Sequence, residues 1–345
     1  MREESLLSRG WAYYVGSTVI FTAGAGLSIA GMRGGMTRMT RPITLSNATL
    51  YTDDSGKANL ILSNPFCILR TIGSAGSVNY KKYFTPEELP QHFTPVHQPA
   101  DSAAVNLTGR NVMVFIMESM SAEHSAYLMP EVYAGRETKG FTPFLDSLMR
   151  EGYCFPNAFA NGHKSIEALP SVLSSIPSFV EPFFLTPASL NDVSGVAGEL
   201  TKHKGYYSAF FHGAMNGSMG FQAFARSTGF QDYFGRTEYN EDPRYNGDKD
   251  FDGTWAIWDE EFLQYYCDKM TEFKEPFVTS VFTASSHHPF AVPARYEGKF
   301  PEGPTPLQRC IGYTDNALRL FFEKASRQPW FKNTLFVITA DHTSL

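Results

Sequence analysis

The chain has 345 residues, room for one large domain or two ordinary ones, and its 43% apolar and 14% aromatic content is that of a globular protein. Its 29 basic and 35 acidic side chains leave a net charge of −6, and no basic run interrupts the sequence, which argues against nucleic acid as a partner. The four cysteines (Cys67, Cys154, Cys267 and Cys310) form no CxxC pair, which argues against a zinc ribbon; two disulfides or four buried thiols both fit.

Trp11–Met32 is a stretch of 22 residues without a charge, long enough to cross a bilayer, with Trp11, Tyr13 and Tyr14 at its start like an interfacial belt. A cleaved leader has a shorter apolar core, of roughly 7–15 residues, so the segment is predicted to be a transmembrane helix closing an N-terminal region of residues 1–32. Arg2 and Arg9 precede it while Arg33, Arg38 and Arg41 follow, so the charge count does not place the C-terminal side outside. Residues 33–108 read as a connector. Within it, Asn64–Ile72 is predicted as a short helix with Asn64 as N-cap and Pro65 in its first turn, and Phe84–Ala104 as a Pro-, His- and Gln-rich surface linker.

From Gly109 strand-like and helix-like segments alternate. Asn111–Met117 is a strong strand, and Thr142-Pro143 opens a helix that Gly152 stops. Phe155–Ala160 reads as a short strand, then Ser165 opens the helix Ile166–Ser175, with Pro170 inside it. Pro187–Lys202, Thr254–Met270 and Pro306–Arg327 are predicted helices; Tyr206–Phe211, Phe277–Thr283 and Leu335–Thr339 are predicted strands, the last buried on both faces. This order predicts an α/β fold, a mostly parallel central sheet with helices on both faces.

Four of these strands end on acids or histidines: Glu118, His212, the run Ser285-Ser286-His287-His288, and Asp341-His342. Open α/β sheets place their sites at the C-terminal ends of strands. Glu118, Asp341 and His342 are two carboxylates and an imidazole, a ligand set suited to Mn²⁺ or Zn²⁺ better than to calcium. A cation there with an open position would withdraw charge from a phosphate or sulfate oxygen. Ser165 has two open readings: a nucleophile activated by a metal and by the positive end of its helix, or a simple N-cap. His212 and His287 are candidate donors to phosphate, and Lys164 and Arg226 could add charge.

The pieces Met117-Glu118-Ser119, Gly140–Asp146, Asn161–Ser165, Phe211-His212-Gly213, Ser286–Phe290 and Ala340–Thr343 together resemble the lipoteichoic acid synthase family. These are membrane-anchored phosphoglycerol transferases of the alkaline phosphatase and sulfatase superfamily. The resemblance covers most of residues 108–345, and the stretch Gly34–Asn64 is also similar to the connector of bacterial relatives. It implies a sulfatase-like catalytic domain over residues 109–345 holding one divalent cation, manganese in preference to zinc or magnesium, on Glu118, Ser165, Asp341 and His342. It implies Ser165 as the nucleophile, His287 as a phosphate or glycerol contact and His212 near the same pocket; Lys164, next to Ser165, joins them as a candidate substrate contact by its charge. It implies an anionic phospholipid donor (phosphatidylglycerol), a glycan or polyol-phosphate acceptor, and an extracytoplasmic domain at a bacterial cell membrane.

The sequence departs from the family in three places. The loop after His212 reads Asn216–Phe221, where Gram-positive members carry a Trp and an Arg. The Cys-x-Pro-x-Arg signature of formylglycine sulfatases is not met, since Cys154-Phe155-Pro156-Asn157-Ala158 lacks the arginine. Family members continue past the residues that match Asp341-His342, so the domain is expected to be truncated at its C-terminus. Alternatives to the transferase are a hydrolase of the same superfamily with water as acceptor, and a non-catalytic tethered fragment. A phosphoethanolamine transferase is disfavoured by the sparse cysteines.

Overall fold

In a computed structural model of the chain, the described residues are 9–33, 48, 51–52, 57, 60–72, 82–94, 107–178, 182–190 and 193–343. Most of the connector, with its Arg41-Pro42-Ile43 piece, lies outside them. Helix α1, Trp11–Arg33, matches the apolar stretch, and none of it is buried against the rest of the chain. Helix α2 runs Asn64–Thr71 with Ser63, not Asn64, at the cap position. The four cysteines form no disulfide; Cys267 and Cys310 are buried but Cys67 and Cys154 only partly so, so the expectation of four buried thiols holds for two of them.

The centre is a five-stranded sheet built from β1 (Asn111–Met117), β2 (Tyr207–His212), β3 (Asp232–Phe234), β4 (Phe277–Phe282) and β5 (Thr334–Ala340), in the order β3-β2-β4-β1-β5. Every pairing is parallel. Parallel strands need crossovers, and here the crossovers are helices that cover both faces. On one face α3 (Pro143–Glu151), α7 (Asp259–Met270) and α8 (Leu307–Ala325) pack on Met113, Phe115 and Met117. On the other, α4 (Ser165–Ser174), α5 (Val196–Lys204) and α6 (Phe221–Ser227) pack on Val114 and Ile116. Successive β1 residues point to opposite cores, which is why the strand is an unbroken apolar run. Each fully buried side chain of this kind contributes roughly 1.5–3 kcal/mol.

Asp315, buried on α8, ties the first layer to the sheet's loops. Its two carboxylate oxygens accept the N–H groups of Phe144 (2.9 Å) and Leu145 (2.8 Å) at the start of α3, whose own cap residue Thr142 offers no side-chain bond. Burial pushes its carboxyl up to about 6. Asp315→Ala strands two buried N–H groups, so thermal or urea unfolding is expected to show a loss of about 2 kcal/mol. A loss below about 0.5 kcal/mol would count against this cap.

Several sequence-based boundaries need correcting. Phe155–Ala160 is not a strand: the segment is irregular, pairs with no strand among the described residues, and leaves Phe155 and Phe159 exposed. β3 is a strand of only three residues, too short for periodicity to reveal. The helix expected over Pro187–Lys202 is two elements, a 3₁₀ turn at Pro187–Leu190 and α5. α7 starts at Asp259 and not at Thr254, because Asp252 folds the intervening residues into a turn. α4 keeps Pro170 in its interior and ends at Ser175 in the left-handed region (φ 54°). β5 is the outermost strand among the described residues, and it is not buried on both faces as expected. Phe336 and Ile338 pack on the core while Leu335 and Val337 stay 37% and 39% exposed.

Candidate active site

The register of the sheet builds the site. Met117 of β1 lies beside Ala340 of β5, so the next residues, Glu118 and Asp341, emerge side by side at the C-terminal edge. The N–H of Ser119 donates to Asp341 Oδ1 at 2.8 Å, with Ser119 at φ 53°, a turn that folds the chain back over Glu118. The next strand over contributes hydroxyls. Thr283 Oγ1 accepts the Glu118 N–H (2.9 Å) and Ser286 Oγ donates to the Glu118 carbonyl (2.6 Å). Ser119, Thr283 and Ser286 were not assigned roles from the sequence; their signal is a hydroxyl directly after each strand.

Ser165 reaches the same point from the other face. Its Oγ donates to Glu118 Oε2 at 2.9 Å and lies 3.3 Å from His342 Nε2. The N-cap reading of Ser165 therefore fails. Lys164 holds the cap position, and the Glu167 carboxylate serves the loop by accepting the His163 N–H at 2.8 Å. Gly162 makes this possible, since a Cβ there would sit 2.4 Å from Glu167 Oε2 and 2.6 Å from its Cβ. Ser165 is left as a buried hydroxyl at the positive end of α4, turned toward the two acids.

Electrostatically the cluster is crowded. Burial, then the neighbouring Asp341 charge, pushes Glu118 up to about 8. Burial works to lower the pKa of His342, but Asp341, the Thr343 carbonyl and Glu118 outweigh it and raise the group to about 9. Asp341 Oδ2 is buried and pairs with His342 Nε2 at 3.0 Å, and Glu118 Oε1 lies 3.7 Å from the same nitrogen. One ligand atom each from Glu118, Asp341 and His342 lies within 4.8 Å of the others. Two buried carboxylates converging on one imidazole fit a divalent cation, with the Ser165 oxygen as a further donor.

The histidines share a device. Nδ1 of His342 is 2.9 Å from the Thr343 carbonyl, that of His212 is 3.1 Å from Phe282 O, and that of His287 is 3.0 Å from His288 O. A carbonyl only accepts, so each Nδ1 carries a proton, and in a neutral ring Nε2 then presents its lone pair. His342, raised to about 9, also carries a proton on Nε2 and must shed it before that nitrogen could serve as a ligand. His212 is buried between Phe221 and Phe282, and burial holds it down at about 4, so it is neutral. His287 is half-buried near the cluster and its pKa is lowered, mainly by burial. Lys164 is exposed beside Ser165 without an ion pair among the described residues. Arg226 is elsewhere, bonded to the Gln231 carbonyl ahead of β3, at the opposite end of the sheet.

The sulfatase family model matches residues 110–344, and the chain belongs to that family. Within it, the sequence is similar to phosphoglycerol transferases. It is 25% identical over 242 residues to the lipoteichoic acid synthase-like protein YvgJ of Bacillus subtilis, covering 68% of this chain and 37% of that protein. It is 25% identical over 224 residues to phosphoglycerol transferase I of Escherichia coli, covering 59% and 28% respectively. The chain therefore spans about a third of the length of these curated relatives. Among solved structures, an alkaline phosphatase superfamily protein from Vibrio parahaemolyticus superposes with a TM-score of 0.58 at 25% identity, over 69% of this chain and 55% of the other. The lipoteichoic acid synthase LtaP from Listeria monocytogenes shares the fold, with a TM-score of 0.58 at 20% identity over 69% and 57%.

Proposed function

We propose that the chain is the anchor and catalytic core of a metal-dependent phosphoglycerol transferase that works at a membrane surface. The observation that carries this reading is the Ser165 hydroxyl, 2.9 Å from Glu118 and 3.3 Å from His342 Nε2, in a cluster closed by Asp341. Glu118, Asp341, His342 and Ser165 would hold one divalent cation, manganese by family resemblance with zinc or magnesium as substitutes. When bound, the cation supplies charge withdrawal and lowers the pKa of the serine hydroxyl.

The residues of the chain supply the rest. Ser165 Oγ attacks the phosphorus of phosphatidylglycerol, an Oγ–P bond forms, and the P–O bond to diacylglycerol breaks. The serine proton, held against Glu118 Oε2 before attack, ends on the departing oxygen, so diacylglycerol leaves as the alcohol. Lys164 meets the phosphate charge, and the Nε2 lone pairs of His287 and His212 accept from hydroxyls of the glycerol. A glycan or polyol-phosphate hydroxyl then attacks the phosphorus; its O–P bond forms, the Oγ–P bond breaks, and its proton returns to Ser165 Oγ. A lipid donor is consistent with α1, 22 residues of which are long and apolar enough to span a membrane. The catalytic domain is assigned to the extracytoplasmic side of a bacterial membrane by the same resemblance.

The test is chemical. The full chain in detergent is incubated with phosphatidylglycerol and Mn²⁺, quenched in acid and digested. A glycerol phosphate adduct is expected on the peptide bearing Ser165. An adduct on another residue, or none alongside steady release of diacylglycerol, would overturn the covalent assignment.

A further inference from the structure

The segment ahead of α7 looks irregular in sequence but is closely held. Asp252 Oδ1 accepts the N–H groups of Thr254 (2.7 Å), Trp255 (2.6 Å) and Ala256 (3.2 Å). Ala256 forms an antiparallel bridge with Ala214, and the Ile257 N–H donates to the Gly213 carbonyl at 3.0 Å. At the far end the buried Asp259 carboxylate accepts the N–H groups of Ala284 (2.8 Å) and Ser285 (3.1 Å). Residues 252–259 therefore clasp two loops at once: the one that leaves β2 after His212 and the one that leaves β4 toward His287.

Trp255 stands at the middle of this clasp. Its indole Nε1–H donates to the His288 carbonyl at 2.8 Å, the same oxygen that takes the Nδ1–H of His287 at 3.0 Å. Its ring lies 4.2 Å from the His287 ring, tilted by 55°. A carbonyl oxygen has two lone pairs, and both are engaged here. The indole pins the acceptor while its face limits rotation of the imidazole. His287 Nε2 has no hydrogen-bond partner among the described residues. Because burial keeps His287 neutral near pH 7, its tautomer decides whether that nitrogen gives or takes a hydrogen bond.

We propose that Trp255 is a positioning residue that holds His287 in the tautomer with Nδ1 protonated and Nε2 open as an acceptor for a substrate hydroxyl. The proposal rests on the reading of His287 as a substrate contact. The experiment is a double-mutant cycle on the full chain in detergent, with Trp255→Phe, His287→Gln and the pair. It follows glycerol phosphate release from phosphatidylglycerol with Mn²⁺. Trp255→Phe keeps one aromatic ring and loses the indole N–H together with the second ring. It is expected to lower kcat/KM about tenfold alone and less than about twofold in the His287→Gln background, a coupling typical of residues in contact. Equal losses in both backgrounds overturn the proposal, because a purely structural role would persist without His287.

A second measurement needs no turnover. Carbethoxylation of His287 by diethyl pyrocarbonate, mapped on peptides of the metal-free full chain, is expected to change severalfold in Trp255→Ala while His203, exposed and remote from the clasp, keeps its rate. An unchanged His287 rate overturns the proposal. If the wild type releases no glycerol phosphate, or His287→Gln leaves release unchanged, it is the substrate reading that fails, and the modification rate alone decides the claim about Trp255.

Discussion

Ser165→Ala is expected to reduce glycerol phosphate release from phosphatidylglycerol by on the order of 10⁴–10⁶, the usual cost of deleting an activated nucleophile. The substitution removes one oxygen. It leaves α4 capped as before, because the cap position belongs to Lys164 and the local carboxylate is Glu167. A collapse of the fold is therefore not the expected cause of the loss, and unfolding curves of mutant and parent should agree to within about 1 kcal/mol. Ser165→Thr keeps the hydroxyl, adds a methyl group, and is expected to retain measurable turnover. An alanine variant that keeps more than a tenth of the parent activity would rule Ser165 out as the attacking group.

The second large effect concerns the metal and pH. Glu118 is raised to about 8 and His342 to about 9, against ordinary values of 4.5 and 6.5. Both are raised groups, so the stability each contributes to the metal-free fold is complete below its unfolded pKa and is lost as pH climbs through its folded one. The window runs from about pH 4.5 to 8 for Glu118 and from about 6.5 to 9 for His342. A cation must displace those protons, so Mn²⁺ affinity measured by calorimetry is expected to climb by up to about a hundredfold per pH unit between pH 6.5 and 8, tenfold for each proton released. Stripping the metal with a chelator should lower the melting temperature more at pH 9 than at pH 6. Asp341→Ala deletes a ligand, and its cost in Mn²⁺ affinity is expected to exceed the roughly 10–100-fold typical of losing a supporting partner. Affinity independent of pH, or unaffected by Asp341→Ala, would mean that the cation binds elsewhere.

Much of this site was legible before any coordinates. Glu118, Asp341 and His342 each follow a β-branched or apolar run, and an acid or imidazole at that point is a local, readable signal. What converts them into a cluster is the pairing of β1 with β5, which joins residues more than two hundred positions apart. The strand order itself has no local signature. Phe155–Ala160 was misread as a strand because alternation of large and small residues says nothing about whether a partner is available. The exposure of Leu335 and Val337 was not legible because the apolar content of Leu335–Thr339 is the same for a strand covered on both faces and for one covered on a single face. The supporting carboxylates escaped for a similar reason. Asp315 caps a helix through Phe144, 171 residues before it, and Asp259 anchors a loop 25 residues after it. Such contacts depend on the assembled layers and on no property of the neighbouring sequence.

The pairing of β1 with β5 has a mechanical consequence. Glu118 hangs from one of these strands, and Asp341 and His342 from the other. An ion shared among the three would act as a rivet between two strands that the backbone otherwise joins by hydrogen bonds alone. Separation of residues 334–340 from β1 and dispersal of the ligands would then be a single event. The free energy that binds the ion would also oppose that separation.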